Sequence, residues 1–121
     1  MKRCVMLAAA IAVALPFAVR ADDLALARAH LAASDGDWRE ALCWFEIAAE
    51  DGDVRAKEVV ASMYLKGEQL YPGVERNVPL AKAWYYRAEA QGSEIARRML
   101  ASFERAPAGE MAAMPDTTPA R

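Results

Sequence analysis

"EALCWFEIAAEDGDVRAKEVVASM" (residues 40–63) and "LAKAWYYRAEAQGSEIARRMLASF" (residues 80–103) are one pattern written twice without a gap, 40 residues apart. Ala41, Trp44, Ala48, Gly52, Ala56, Ala61 and Ser62 recur as Ala81, Trp84, Ala88, Gly92, Ala96, Ala101 and Ser102. Phe45 with Tyr85, Val60 with Leu100 and Met63 with Phe103 are near-equivalents. Self-similarity at a fixed period of about 20–50 residues marks units that stack, because one such unit cannot bury its apolar face alone.

Each unit reads as helical. Ala, Leu, Glu, Arg and Met dominate, apolar residues recur at three- and four-residue spacing, and no run alternates as a strand would. Gly52 and Gly92 suit the left-handed residue that closes a helix, and Asp53 and Ser93 after them suit the N-cap of the next. Asp37 with Glu40 forms a capping-box pattern. Pro79 fits a first helical turn and should hold Val78 extended before it. These signals predict helices at 23–34, 38–51, 54–66, 79–91 and 94–105, an all-α chain.

A helix turns about 100° per residue, so Ala81, Trp84, Tyr85 and Ala88 share one stripe and Tyr86 points away from it. The repeat core expected on this basis is Ala41, Trp44, Phe45, Ala48, Gly52, Ala56, Val60 and Tyr64, followed by Ala81, Trp84, Tyr85, Ala88, Gly92, Ala96 and Leu100. Tyr86 aligns with Glu46 in the earlier copy, so the repeat does not require a ring there.

Outside the repeats, Lys2 and Arg3 precede 16 uncharged residues, Cys4 to Val19, and Val19-Arg20-Ala21 offers small residues at the positions a signal peptidase reads. Residues 1–21 are therefore expected to be a cleavable export signal. The apolar run, broken by Pro16, is shorter than the roughly 20 residues a membrane span needs. Cys4 precedes the apolar region and so is not a lipoprotein cysteine. The chain after cleavage would carry 17 acids against 12 bases, with residues 22–53 at net −7 and residues 54–121 at +2. That balance is not a nucleic-acid binder's, and an acidic front with a basic back could pair two copies head to tail. Cys43 alone would remain, so no internal disulfide is expected, and Cys43 reads as a small buried apolar residue. Residues 106–121, rich in Pro and Ala, are expected to be a disordered tail.

Ala56, Val60, Ala61, Tyr64, Gly67, Gly73 and Val74, then Ala81, Trp84, Tyr85, Ala88 and Gly92, resemble one whole Sel-one-like repeat, the cousin of the tetratricopeptide unit. Residues 25–52 resemble a degenerate earlier repeat through Ala25, Ala29, Gly36, Ala41, Trp44, Phe45, Ala48, Ala49 and Gly52, and residues 93–105 resemble the first helix of a third. "EQLYPG" between Gly67 and Gly73 is longer than the family's usual turn, Asn77 stands where an aspartate is common, and Glu89 replaces an alanine. The resemblance implies, for residues 22–105, a short right-handed α–α superhelix, a solenoid of antiparallel helix pairs with about two and a half Sel-one-like or TPR-like repeats.

The sequence offers no reactive constellation. His30 and Cys43 sit on Ala-rich helices with no third group to orient a base. Asp35, Asp37, Asp51 and Asp53 lack the spacing of a calcium loop to a terminal glutamate and are explained as caps. No phosphate-binding glycine loop or serine elbow is present. No cofactor, metal or nucleic acid is expected, and no stable membrane insertion after signal cleavage.

What remains is surface. The first helices of successive pairs line the concave side of such a stack, and their positions off the core stripe are Arg55, Glu58, Ser62 and Lys66 in one copy and Arg98, Ser102 and Arg105 in the next. With Tyr71 and Tyr86, the cations Arg55, Lys66, Arg98 and Arg105 are the candidate partner-binding residues, suited to an acidic or extended peptide. The resemblance implies a non-catalytic protein–protein interaction module, an adaptor or regulatory piece of the bacterial envelope, periplasmic or secreted. The alternative is a small periplasmic hydrolase or penicillin-interacting enzyme. A third possibility is self-association, since solenoids usually need about three repeats.

Overall fold

Three turns of one design divide the chain. "AASDGDW" (32–38), "AAEDGDV" (48–54) and "AEAQGSE" (88–94) each place a glycine, Gly36, Gly52 or Gly92, at φ of 76°, 106° and 92°. The residue after each glycine donates its N–H to the carbonyl five positions back: Asp37 to Ala32 at 2.9 Å, Asp53 to Ala48 at 3.1 Å and Ser93 to Ala88 at 3.1 Å. The same three residues then cap the next helix, accepting with their side chains from the N–H of Glu40, Ala56 and Ala96. One residue thus satisfies the end of one helix and the start of the next.

The computed structural model describes residues 20–106. Among them are helices α1 (Ala21–Ser34), α2 (Trp38–Glu50), α3 (Val54–Lys66), α4 (Val78–Ala90) and α5 (Glu94–Arg105), with a 3-10 turn at Gly67–Gln69 after α3. No strand occurs among the described residues, so the chain is all-helical there. The expected leader, but for its last two residues, and the tail beyond Ala106 lie outside the described residues.

Four boundaries differ by one or two residues from expectation, the start of α1, the end of α2 and both ends of α4, and the start of α4 has a clear local cause. Asn77, rather than Val78, is the extended residue before α4 (φ −144°, ψ 92°), and its side chain accepts from the Leu80 N–H. Val78 is therefore already helical, and Pro79 takes the second position, where the missing N–H costs no helical hydrogen bond.

Each helix packs chiefly against its neighbour in sequence, α1 on α2, α2 on α3, α3 on α4 and α4 on α5. Fully buried alanines, among them Ala29, Ala41, Ala48, Ala61, Ala81, Ala88 and Ala96, let the backbones approach, and Trp44, Phe45, Trp84, Tyr85, Val60, Met63 and Leu100 fill the space between them. Both repeated indoles are buried under a guanidinium, Arg28 at 4.8 Å from the Trp44 ring centroid and Arg87 at 4.3 Å from that of Trp84. Three expected core residues need correction. Gly52 and Gly92 are exposed, because their role is backbone conformation at a surface turn. Tyr64 is half-buried, because its hydroxyl reaches out to the Glu46 carboxylate instead of into the apolar interior.

The segment from Gly67 to Asn77 is pinned by contacts distant in sequence. Val74 is buried, the Tyr71 ring stands edge-on to Trp38 at 5.1 Å, and Arg39 Nε donates to the Gly73 carbonyl at 3.0 Å. The Asn77 N–H donates to the Tyr64 carbonyl at 2.8 Å, and Arg76 Nε to that of Leu65 at 3.1 Å. Tyr71 therefore tucks back onto the start of α2, while Leu70 beside it stays exposed.

Candidate functional surface

Spacings of three, four and seven residues put Arg55, Glu58, Ser62 and Lys66 on one face of α3 and Arg98, Ser102 and Arg105 on the equivalent face of α5. Arg55, Arg98 and Arg105 are exposed and Lys66 is half-buried. The acid among them is engaged, since Glu58 accepts from the Ser93 hydroxyl, which ties α3 to the cap of α5. Arg98 approaches Glu94 at 3.4 Å with 77% of its side chain exposed, and Arg105 Nε donates to the Ala101 carbonyl within its own helix at 3.2 Å. Exposed pairs of this kind are worth about 0–1 kcal/mol, so they hold these cations only loosely.

The two tyrosines do not join this face. Tyr71 lies in the 67–77 segment against Trp38, and Tyr86, 55% exposed, stands on α4 at the position Glu46 occupies on α2. The six candidate binding residues therefore form one cationic face plus two separate rings.

A polar belt anchored on one buried lysine escapes a reading of residue types. Lys57, only 6% exposed, donates through Nζ to the Gln91 side-chain oxygen, and Gln91 Nε2 donates in turn to the Gly52 carbonyl at 3.2 Å. Beside it, Arg87 binds Glu50 through two parallel hydrogen bonds of 3.0 and 2.9 Å. That fork draws the Glu50 carboxyl below its ordinary pKa. Together these contacts fasten α4 to both α2 and α3. The available signal is positional: Lys57 lies three and four residues before Val60 and Ala61, on the apolar arc, where a charge must find a partner.

Glu46 and Tyr64 make the second polar contact between α2 and α3. Burial raises the Glu46 carboxyl pKa; the Tyr64 hydroxyl bond pulls it back down, and the Glu50 charge adds to the rise. Burial, reinforced by the Glu46 charge, pushes the Tyr64 hydroxyl well above its ordinary range, and burial takes Tyr85 up to about 12. Both phenols are neutral at any physiological pH. A raised folded-state pKa at Glu46 means that the folded chain binds this proton more tightly than the unfolded chain. Its contribution to stability is full below the unfolded carboxyl pKa and is lost as pH rises through the folded value. Glu46→Gln keeps an acceptor for Tyr64 and removes the buried charge. Urea titrations at several pH values should therefore show a variant at least as stable as wild type at pH 7, with the wild type's advantage appearing only on acidification. A variant markedly less stable at pH 7 would show instead that the ionised carboxylate is the favourable form.

His30 stands edge-on to Phe45 at 5.3 Å. Cys43 is half-buried on α2. The expectation of a small buried apolar residue at this position is corrected to one that keeps part of its surface exposed. Among the described residues no group of three or more metal-binding side chains occurs, and no helix is long and apolar enough to cross a membrane. Comparison of the chain with family models, with curated proteins and with solved structures found no match.

Proposed function

We propose that the chain is a Sel-one-like repeat protein of the bacterial envelope, exported by its first 21 residues, whose short right-handed stack of helix pairs binds another protein without catalysis. The observation that carries this reading is the recurrence, at a 40-residue interval, of a buried tryptophan among fully buried alanines, closed by a positive-φ glycine and reopened by a capping side chain. Such a unit spends its apolar residues on its neighbours and leaves its polar face for recognition. The cationic face of α3 and α5 is the proposed contact, and an acidic, extended segment of a partner protein is the ligand that suits it.

A photo-reactive residue at position 98 or 71, introduced into the protein in intact cells, tests the reading. Position 98 should trap a specific partner, and the double substitution Arg55→Glu with Lys66→Glu should abolish that capture while leaving the helical circular dichroism unchanged. Capture that survives the charge reversal would remove this face from the proposal. Turnover of nitrocefin or of muropeptides by the purified protein, abolished by one point substitution, would replace the binding role with the enzymatic one.

A further inference from the structure

We propose that the molecule associates head to tail with further copies of itself, the outer face of α1 in one copy seating against the open end formed by α4 and α5 in the next. This goes beyond the partner recognition proposed above, and the two draw in part on the same cations of α5.

The molecule contains its own template for the receiving surface. Between α2 and α3, the side bearing Glu50 and Lys57, beside buried Ala61, is met by Arg87 of α4 and by Gln91 at its C-terminal cap. Advanced by 40 residues, Glu50, Lys57 and Ala61 become Ala90, Arg97 and Ala101 on α4 and α5, and Tyr86 stands one helical turn before Ala90 on the same face of α4. Lys57 is 6% exposed and Ala61 fully buried, whereas Tyr86 is 55% exposed and Ala101 is half-buried. The Arg97 side chain is 65% exposed. The end of the molecule thus presents a helix-receiving surface of the kind filled internally by α4, with an exposed tyrosine beside it and no described helix over it.

The opposite end supplies the occupant. α1 packs chiefly on α2 and carries Leu24 and Leu31, 50% and 64% exposed, seven residues apart and therefore on one stripe. Asp23 and Asp35, both exposed, bracket that stripe. Charge complements the fit. Residues 22–53 carry nine acids against two bases, whereas α4 and α5 carry Lys82, Arg87, Arg97, Arg98 and Arg105 against Glu89, Glu94 and Glu104. Like ends repel and unlike ends attract. Because the two faces differ, the contact is heterologous, and each added copy leaves one head and one tail free for the next.

Sedimentation of the purified protein over a range of concentration and salt reads this out. The expected result is a weight-average mass that rises past that of a dimer with concentration and falls with added salt. Leu31→Lys blocks the head and Tyr86→Glu blocks the tail. Both positions are exposed, so the fold survives, and each variant alone should associate at least about tenfold more weakly. Mixed in equal amounts, the two should form a one-to-one dimer that grows no further, because one intact head meets one intact tail. A wild type that stays monomeric throughout, a variant that associates like wild type, or a mixture that stays monomeric would each overturn the proposal.

Discussion

Trp84→Ala should lower the stability of the protein by about 3–5 kcal/mol, the usual cost of truncating a buried large aromatic. The indole is 6% exposed on α4, between fully buried Ala81 and Ala88, and the Arg87 guanidinium lies over its ring. Alanine leaves a cavity whose walls are helix backbones already in close approach, so little can move in to fill it. Arg87 also loses its platform beside Glu50. Total stabilities of domains this size run at about 5–15 kcal/mol, so the substitution removes a large share of the whole. Denaturant titration should show a large fall in midpoint at unchanged slope. Tyr86→Ala, two residues along and on the exposed face, is the control, and its effect should stay within about 0.5 kcal/mol. Equal losses at the two positions would mean that the buried stripe has been assigned to the wrong side of α4.

Gly67→Ala should cost roughly 2–4 kcal/mol, from an unfavourable backbone conformation and a steric clash acting together. Gly67 closes α3 at φ 57°, and a Cβ there would meet Arg76 Cβ at 2.6 Å and Arg76 Cα and N at 2.8 Å. The backbone atoms at 2.8 Å are held in place by the Arg76 bond to Leu65 and the Asn77 bond to Tyr64. Relief would require the whole 67–77 segment to lift from α3. Gly92→Ala is the matched comparison: its φ is 92°, yet nothing lies within 4 Å of the added carbon. Only the conformational cost of about 1–2 kcal/mol applies there. Thermal unfolding of the two variants separates the cases, and a Gly67 variant no less stable than the Gly92 variant would show that the segment is not held against α3.

These two glycines also mark how far the sequence is legible. Helix ends at Gly52 and Gly92 can be read directly, because a glycine followed by a capping side chain is a local arrangement written within four residues. The buried stripe of Trp44 and Trp84 is equally legible through its spacing. Gly67 resembles the other turn glycines in sequence, and its crowding comes from Arg76, nine residues later. Long-range contacts of this kind leave no periodic trace, and the same holds for Tyr71 on Trp38, Arg39 on Gly73 and Lys57 on Gln91. The start of α4 lies one residue before the place Pro79 signals, because Asn77 also signals a helix start and the cap outweighs the ring. The cationic face was legible by helical arithmetic. The separation of Tyr71 and Tyr86 from it depends on the course of the 67–77 segment and on which side of α4 meets α2.

The central claim is that equivalent landmarks 40 residues apart occupy equivalent buried places, and shielding of the two repeated indoles tests it most directly. Trp38 and Trp44 replaced by phenylalanine leave Trp84 as the sole tryptophan; Trp38 and Trp84 replaced likewise leave Trp44. Both single-tryptophan proteins should emit at short wavelength and resist acrylamide quenching to a similar degree. An indole at either position quenched as freely as tryptophan in water would contradict the account.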